Sequence, residues 1–171
     1  MHAVRRILSV ALLSVAAVST TAAQPPLSQA EFVRRVALSD LFETRSSELA
    51  AIRGDAATRA FAAAMNEAHQ KTSSELGLLV KGRASDLPLP PRLDPDGQRR
   101  IDRLQELSGE SFRGGYAAEQ VRAHESAVRL FERYVEMASP GDLRAWAEAT
   151  LPKLKEHLEH ARQLAGGRSG G

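Results

Sequence analysis

One stretch, residues 116–138, most constrains how this chain can fold. At about 100° per residue, its apolar side chains fall on one side of a helix and its charged side chains on the other. Such a helix must pack its apolar side against other helices. Gln120 and His124 lie on that side, with His124 near its centre, so both would be carried into an interior where polar groups need partners. The inward histidine is therefore the first candidate for a functional residue.

The first 23 residues have the pattern of an export signal. Arg5 and Arg6 give a positive start, residues 7–18 form an apolar core, and residues 21–23 are the small Thr-Ala-Ala expected before a cleavage site. The core is about a dozen residues long, shorter than the ~20 that span a bilayer as a helix. We therefore predict that residues 1–23 are removed as a signal peptide. The expected location is periplasmic or secreted, with no membrane span after cleavage.

Charge and cysteine content narrow the choice of partners. Loss of the signal removes two arginines and no acid, leaving 21 basic and 21 acidic residues. A chain without net charge lacks the one-signed surface of a nucleic-acid binder, so the expected partner is an unidentified protein or small ligand and not a nucleic acid. There is no cysteine, so the fold must hold by packing without disulfides.

Helix signals divide the rest of the chain into four long helices and one short one. Ser28 and Asp55 are of the residue types that cap helix N-termini, and they are expected to cap the first two helices. These helices should end near Arg53 and Lys81. No run of alternating residues favours strands. We predict one bundle domain, residues 24–165, followed by a disordered glycine-rich tail, residues 166–171.

The connection between the second and third long helices has its own pattern. Residues 82–97 carry four prolines and are expected to form an extended crossover, followed by a short helix over residues 98–107. Glycines at 109, 114 and 115 are expected to loosen the chain before the central helix. The last helix should open at Ser139-Pro140, and Pro152 within it should cause a kink near Thr150 and no break.

Counting residues from the turns predicts that the inward ionisable groups meet. His124 is about 16 residues before the turn that joins the last two helices and His157 about 17 after it. Glu43 is about 11 before the turn at Gly54 and His69 about 15 after it. All four groups therefore fall near mid-height, and ordinary bundle packing would bring them together.

The ordered motifs resemble a known family. They are Phe42-Glu43, Met65 to His69, the series Phe112, Tyr116, Gln120 and His124, and Leu151-Pro152 to His157-Leu158. The chain resembles the exported domain-of-unknown-function 4142 family over residues 31–164. That family is regarded as ferritin-like, and its members are often labelled as outer membrane proteins. Two residues depart from its pattern, because Ala68 and Arg113 stand where acidic residues are usual.

The resemblance implies an all-α fold: a ferritin-like antiparallel four-helix bundle with a Pro-rich crossover and a short extra helix between helices 2 and 3. It implies no established activity.

Two interpretations of the inward cluster stay open. In the first, the protein is a non-enzymatic binding or structural bundle, in which the histidines and Glu43 form a buried polar network with Tyr116 and Gln120.

In the second interpretation, the bundle binds one transition metal ion, namely zinc, iron, copper or manganese. Imidazole and carboxylate ligands suit these ions, and the core of a helical bundle is a usual place for them. The proposed ligands are Glu43, His69, His124 and His157. A di-iron ferroxidase is disfavoured because the chain has no Glu-x-x-His. A redox enzyme is a third function class, weaker than the binding bundle and the metal-binding bundle.

Two further predictions concern the surface. An apolar flank on the first helix, formed by Leu38, Phe42 and Leu49, is expected to be exposed and to support a homodimer. His160, although three residues from His157, is expected to face solvent among glutamates and to take no part in the site.

Overall fold

The computed structural model describes residues 27–81 and 87–167, which form five helices and no strand. The helices are α1 (Gln29–Arg53), α2 (Ala56–Val80), α3 (Pro95–Glu106), α4 (Gly109–Met137) and α5 (Asp142–Ala165). The all-helical prediction is therefore confirmed. The predicted signal peptide, part of the proline-rich crossover and most of the predicted tail lie outside the described residues.

The helices begin where capping side chains are available. The Ser28 hydroxyl accepts a hydrogen bond from the Glu31 N–H at 3.2 Å, and the Asp55 carboxylate accepts one from the Thr58 N–H at 2.9 Å. These are the two caps predicted from the sequence. Asp94 caps α3 in the same way, so that this helix begins at Pro95 and not at the predicted residue 98.

Two predicted helix starts are wrong. Helix α4 begins at Gly109, so the glycines at 114 and 115 lie within it instead of loosening the chain. Gly115 has a packing role, because a Cβ there would lie 2.6 Å from Leu107 Cδ1. Helix α5 begins at Asp142 without a capping side chain, which rules out the predicted cap at Ser139. It continues through Pro152 without a break, as predicted.

Each of the four long helices packs against two others. Helix α1 contacts α2 and α4, and α5 contacts α4 and α2, while the short α3 lies over α1 and α4. The described residues form three apolar clusters, of which the smallest joins α1, α3 and α4 through Phe42, Ile101 and Ala123. Of the other two, the larger contains Phe32, which stacks on Tyr134 with ring centroids 3.7 Å apart, and the second contains Phe112 and Tyr116.

Buried polar residues occupy the layer between these two clusters. Along α1, Phe32 to Val36 belong to the larger cluster and Ala50 to the other, and the buried Asp40 and Glu43 come between them. Helix α4 has the same order in reverse, with His124 between its two apolar portions. The bundle thus carries its ionisable groups in one layer that is closed off by apolar packing on both sides.

The expected exposed flank on α1 is not exposed. Phe42 is only 2% accessible because α3 covers it, and Leu49 packs against buried residues of both smaller clusters. Leu38 is partly buried and lines a surface cleft. The homodimer remains a prediction, but this flank does not support it.

No helix within residues 27–81 and 87–167 has the length and apolar character needed to cross a bilayer.

Candidate metal centre

Three histidines from three different helices meet in the polar layer. His69 comes from α2, His124 from α4 and His157 from α5. One ring nitrogen of each lies within 4.8 Å of those of the other two, and the ring centroids are 5.5 to 6.1 Å apart. The first two side chains are buried and the third is half-buried. The structure thus brings together the three histidines that residue counting placed at one height.

Two of these rings are oriented by hydrogen bonds on the side of Nδ1. His69 Nδ1 lies 2.8 Å from Asp40 Oδ1, and His124 Nδ1 lies 2.9 Å from the carbonyl oxygen of Gln120. A carbonyl can only accept, so His124 must carry its proton on Nδ1. Its Nε2 is then left with a lone pair when the ring is neutral. Histidine ligands of metal ions are commonly held in this way by a carboxylate or a carbonyl.

The opposite sides of the rings have no hydrogen-bond partner among the described residues. His69 Nε2, His124 Nε2 and His157 Nδ1 are all buried without one. Buried ring nitrogens are normally hydrogen-bonded, because leaving them unpaired costs free energy. Either water molecules or a metal ion can supply partners for these three nitrogens.

The electrostatic environment keeps two of the rings neutral. Burial lowers the pKa of His124 to about 4, with a further contribution from His69. Burial likewise lowers the pKa of His157 to about 4, assisted by His124 and His69. Burial also acts to lower the pKa of His69, but the hydrogen bond that His69 donates to Asp40 and the charge of Glu43 outweigh it, so that this pKa is raised.

Glu43 lies beside the three rings and not among them. Its Oε1 is 3.9 Å from His124 Nδ1, the nitrogen that already bonds to the Gln120 carbonyl. The side chain is 1% exposed, and neither carboxylate oxygen has a hydrogen-bond partner among the described residues. Burial raises the pKa of Glu43 to about 7, although the charge of His69 opposes the shift. Glu43 is therefore better placed to act as a negative charge near the histidines than to bind a metal ion directly.

Tyr116 and Gln120 are both fully buried, but their side chains bond to α1 serines and not to the histidine rings. Gln120 Nε2 donates to Ser46 Oγ at 3.1 Å, and the Tyr116 hydroxyl lies 3.2 Å from Ser47 Oγ. These bonds link α4 to α1 directly below the cluster. His160 is exposed and stands apart from the three rings, as predicted.

Asp40 is the site residue that the sequence interpretation missed. Its second carboxylate oxygen accepts a hydrogen bond from Ser73 Oγ at 3.0 Å, so both oxygens are fixed while the first orients His69. A signal was present, because Asp40 is 14 residues before Gly54 and His69 is 15 after it. The same counting that paired His124 with His157 pairs these two residues.

The fold and the site define a class: an all-helical bundle with three histidines gathered in a buried polar layer. The chain belongs to the domain of unknown function family DUF4142, whose sequence profile matches residues 16–164. The resemblance noted in the motifs is therefore confirmed over nearly the whole chain. No curated protein and no solved structure matches the sequence significantly.

Proposed function

We propose that this protein is a helical bundle that binds one transition metal ion through His69, His124 and His157. The observation that carries the proposal is the convergence of three histidines, each of which has a buried ring nitrogen without a hydrogen-bond partner among the described residues. Two of the rings are already oriented from behind by Asp40 and by the Gln120 carbonyl. A metal ion satisfies all three nitrogens at once.

The geometry is compatible with a tetrahedral ion. At a metal–nitrogen distance of about 2.0–2.1 Å, tetrahedral ligands are about 3.3 Å apart. The ring nitrogens lie within 4.8 Å of one another, so binding requires the rings to close in by ångström-scale adjustments. Three protein ligands leave a fourth position for water or for another group.

The chemistry of the donors favours zinc, copper or iron over manganese. Imidazole nitrogens suit zinc, copper and iron, whereas manganese prefers carboxylate, carbonyl and water oxygens. With Glu43 outside the trio, the set is all nitrogen. We assign Glu43 the part of a nearby negative charge that balances the ion, in place of the predicted fourth ligand, and Asp40 the part of the carboxylate that orients His69.

The proposal also includes the antiparallel, ferritin-like arrangement of the helices and the export of the protein. The short connections between α1 and α2 and between α4 and α5 support the antiparallel, ferritin-like arrangement. The signal-like first 23 residues support export, which would place metal loading outside the cytoplasm. Metal binding, and no particular reaction, is what this geometry supports.

A buried polar network without an ion is the competing account. Asp40, His69 and Ser73 do form such a network, and so do the α1 serines with Gln120 and Tyr116. These bonds, however, leave the facing nitrogens of the three rings unpaired. The two accounts differ in one measurable property, which is stoichiometric and specific metal uptake.

Calorimetric titration of the chelator-treated protein with Zn²⁺ tests the proposal. We expect one high-affinity site per chain, and its loss in His157→Gln, which removes a half-buried ring. His160→Gln is the matched control, since it removes an exposed ring from the same helix. Circular dichroism would confirm that both variants fold. Equal zinc binding by the two variants, or no binding by the wild type, would overturn the proposal.

A further inference from the structure

A second candidate site lies on the outside of the bundle, between α1, α3 and α4. It is an open cleft of about 430 Å³. Five arginines from the three helices line it, accompanied by two aspartates, and Leu38 and Ala123 provide apolar wall. The arginines are Arg34, Arg35, Arg100, Arg103 and Arg122. We call this the arginine cleft.

Positive charge is in excess there. Arg34 is paired with Glu31 at 2.9 Å, and Arg100 and Arg122 share the single carboxylate of Glu119. Arg35 and Arg103 form no ion pair among the described residues, although the charge of Arg35 contributes to lowering the pKa of Glu31.

The two aspartates of the lining offset this charge only in part, because two carboxylates face five guanidinium groups and Asp94 acts on Arg34. Asp94 accepts the N–H of Gly97 as the cap of α3, and Asp96 pairs with Arg99 outside the cleft. The residues after the signal carry equal numbers of basic and acidic side chains. The excess in the cleft is therefore a local concentration of charge and does not reflect a basic protein.

One arginine of the cleft is fixed in place. The Arg100 guanidinium stacks over the Phe42 ring at 3.7 Å from its centroid, and its Nε donates to Glu119 Oε2 at 2.8 Å. A guanidinium held in this way has already lost most of its conformational freedom, so an anion that binds beside it has less ordering to provide. Arg35 on α1 and Arg103, one turn further along α3, line the same cleft and can contact the same anion.

We propose that the arginine cleft binds a small organic anion through its carboxylate or phosphate groups. Guanidinium groups recognise both oxyanions through paired hydrogen bonds. The small volume and the apolar wall favour a compact molecule over a macromolecular surface. This site is separate from the three histidines and does not depend on a bound metal.

Titration of the chelator-treated protein at low salt, with inorganic phosphate in one arm and succinate in the other, tests this proposal by NMR chemical shifts. Saturable shifts at Arg35, Arg103 and their neighbours are expected with at least one probe, and the arm that binds more tightly identifies phosphate or carboxylate as the recognised group. The double variant R35Q/R103Q should bind at least about tenfold more weakly, because it loses two charge-assisted contacts.

The control is R45Q/R129Q, which removes the same charge from exposed arginines of α1 and α4 outside the cleft. Its affinity should stay within about twofold of the wild type. Linear, unsaturable shifts, or equal weakening by the two double variants, would mean that only general electrostatic attraction is present and would overturn the proposal. His157→Gln should retain anion binding, which keeps this test distinct from the test of the metal site.

Discussion

The three histidines of the polar layer have the same side chain but unequal surroundings. His69 shares a proton with a fixed carboxylate, His124 donates to a backbone carbonyl, and His157 has neither contact. Burial lowers the pKa of His124 and of His157, whereas at His69 the contributions of Asp40 and Glu43 outweigh burial and the pKa is raised. Metal binding near neutral pH would therefore displace a proton chiefly from His69, since ligands must bind through a free lone pair.

Asp40→Asn should weaken zinc binding by about 10- to 100-fold, the usual effect of changing a partner that orients a ligand. The asparagine oxygen can still accept from His69 Nδ1, so the fold is kept while the negative charge is lost. Competition with a chromophoric chelator measures the affinity. Glu48→Gln, an exposed change on the same helix, is the control. An unchanged affinity in Asp40→Asn would show that this carboxylate does not support the ligand.

Glu43 gives the metal-free protein a pH dependence of known sign. Its pKa rises from 4.5 to about 7 on folding, so its contribution to stability is complete below pH 4.5 and is lost as the pH rises through 7. The contributions of His124 and His157, whose pKa values fall from 6.5 to about 4, run the other way and are lost on acidification below 6.5.

Glu43→Gln should therefore be more stable relative to wild type at pH 7 than at pH 4.5, because glutamine never becomes charged in the interior. Urea unfolding of chelator-treated protein at both ends of this window measures the difference. Glu48→Gln should show no such trend. A stability difference between Glu43→Gln and wild type that does not change with pH would mean that the buried carboxyl titrates normally.

At the scale of the helices, local signals predicted starts well wherever a side chain caps the backbone. Ser28 and Asp55 accept the predicted N–H groups, since these bonds depend only on residues three apart. The prediction that Gly114 and Gly115 loosen the chain was wrong, because it took no account of contacts with residues outside the helix. Helix α4 includes Gly115 because Leu107, from the segment just before the helix, packs where a Cβ would be. Propensity alone contains no information about that contact.

This difference predicts unequal effects for two adjacent glycines of α4. Gly114→Ala meets no atom within 4 Å and should stabilise the protein by about 0.5–1 kcal/mol through helix propensity. Gly115→Ala gains the same propensity but forces Leu107 to move, so its gain should be smaller or negative. Thermal unfolding of the two variants measures the contrast. Equal stabilisation by both would show that the Leu107 contact does not restrict position 115.

At the scale of the whole molecule, residue counting predicted that the histidines meet, but it did not predict which acidic residue faces them. His124 and His157 meet because a short turn fixes the relative height of α4 and α5. Which acid faces His69 depends on how α1 is rotated about its axis. The sequence interpretation chose Glu43, but packing turns Asp40 toward the ring. The covering of Phe42 by α3 is likewise a tertiary contact that α1 alone does not specify.

Metal binding should stabilise the entire bundle, because α2, α4 and α5 each contribute a ring. Zinc at 100 times its dissociation constant should raise the free energy of unfolding by about 2.7 kcal/mol. Denaturant unfolding with and without zinc measures this gain. His160→Gln should keep it and His157→Gln should lose it. A gain of equal size in both variants would indicate surface binding.

The most direct test of the three-histidine site is a crystal structure of the zinc-loaded protein with diffraction data collected at the zinc absorption edge. We predict a single strong anomalous peak in the polar layer, about 2.0–2.1 Å from one ring nitrogen of each of His69, His124 and His157. Asp40 and the Gln120 carbonyl should still bond to the outer nitrogens. Three rings with no anomalous peak between them, or a peak found only on the protein surface, would contradict the account.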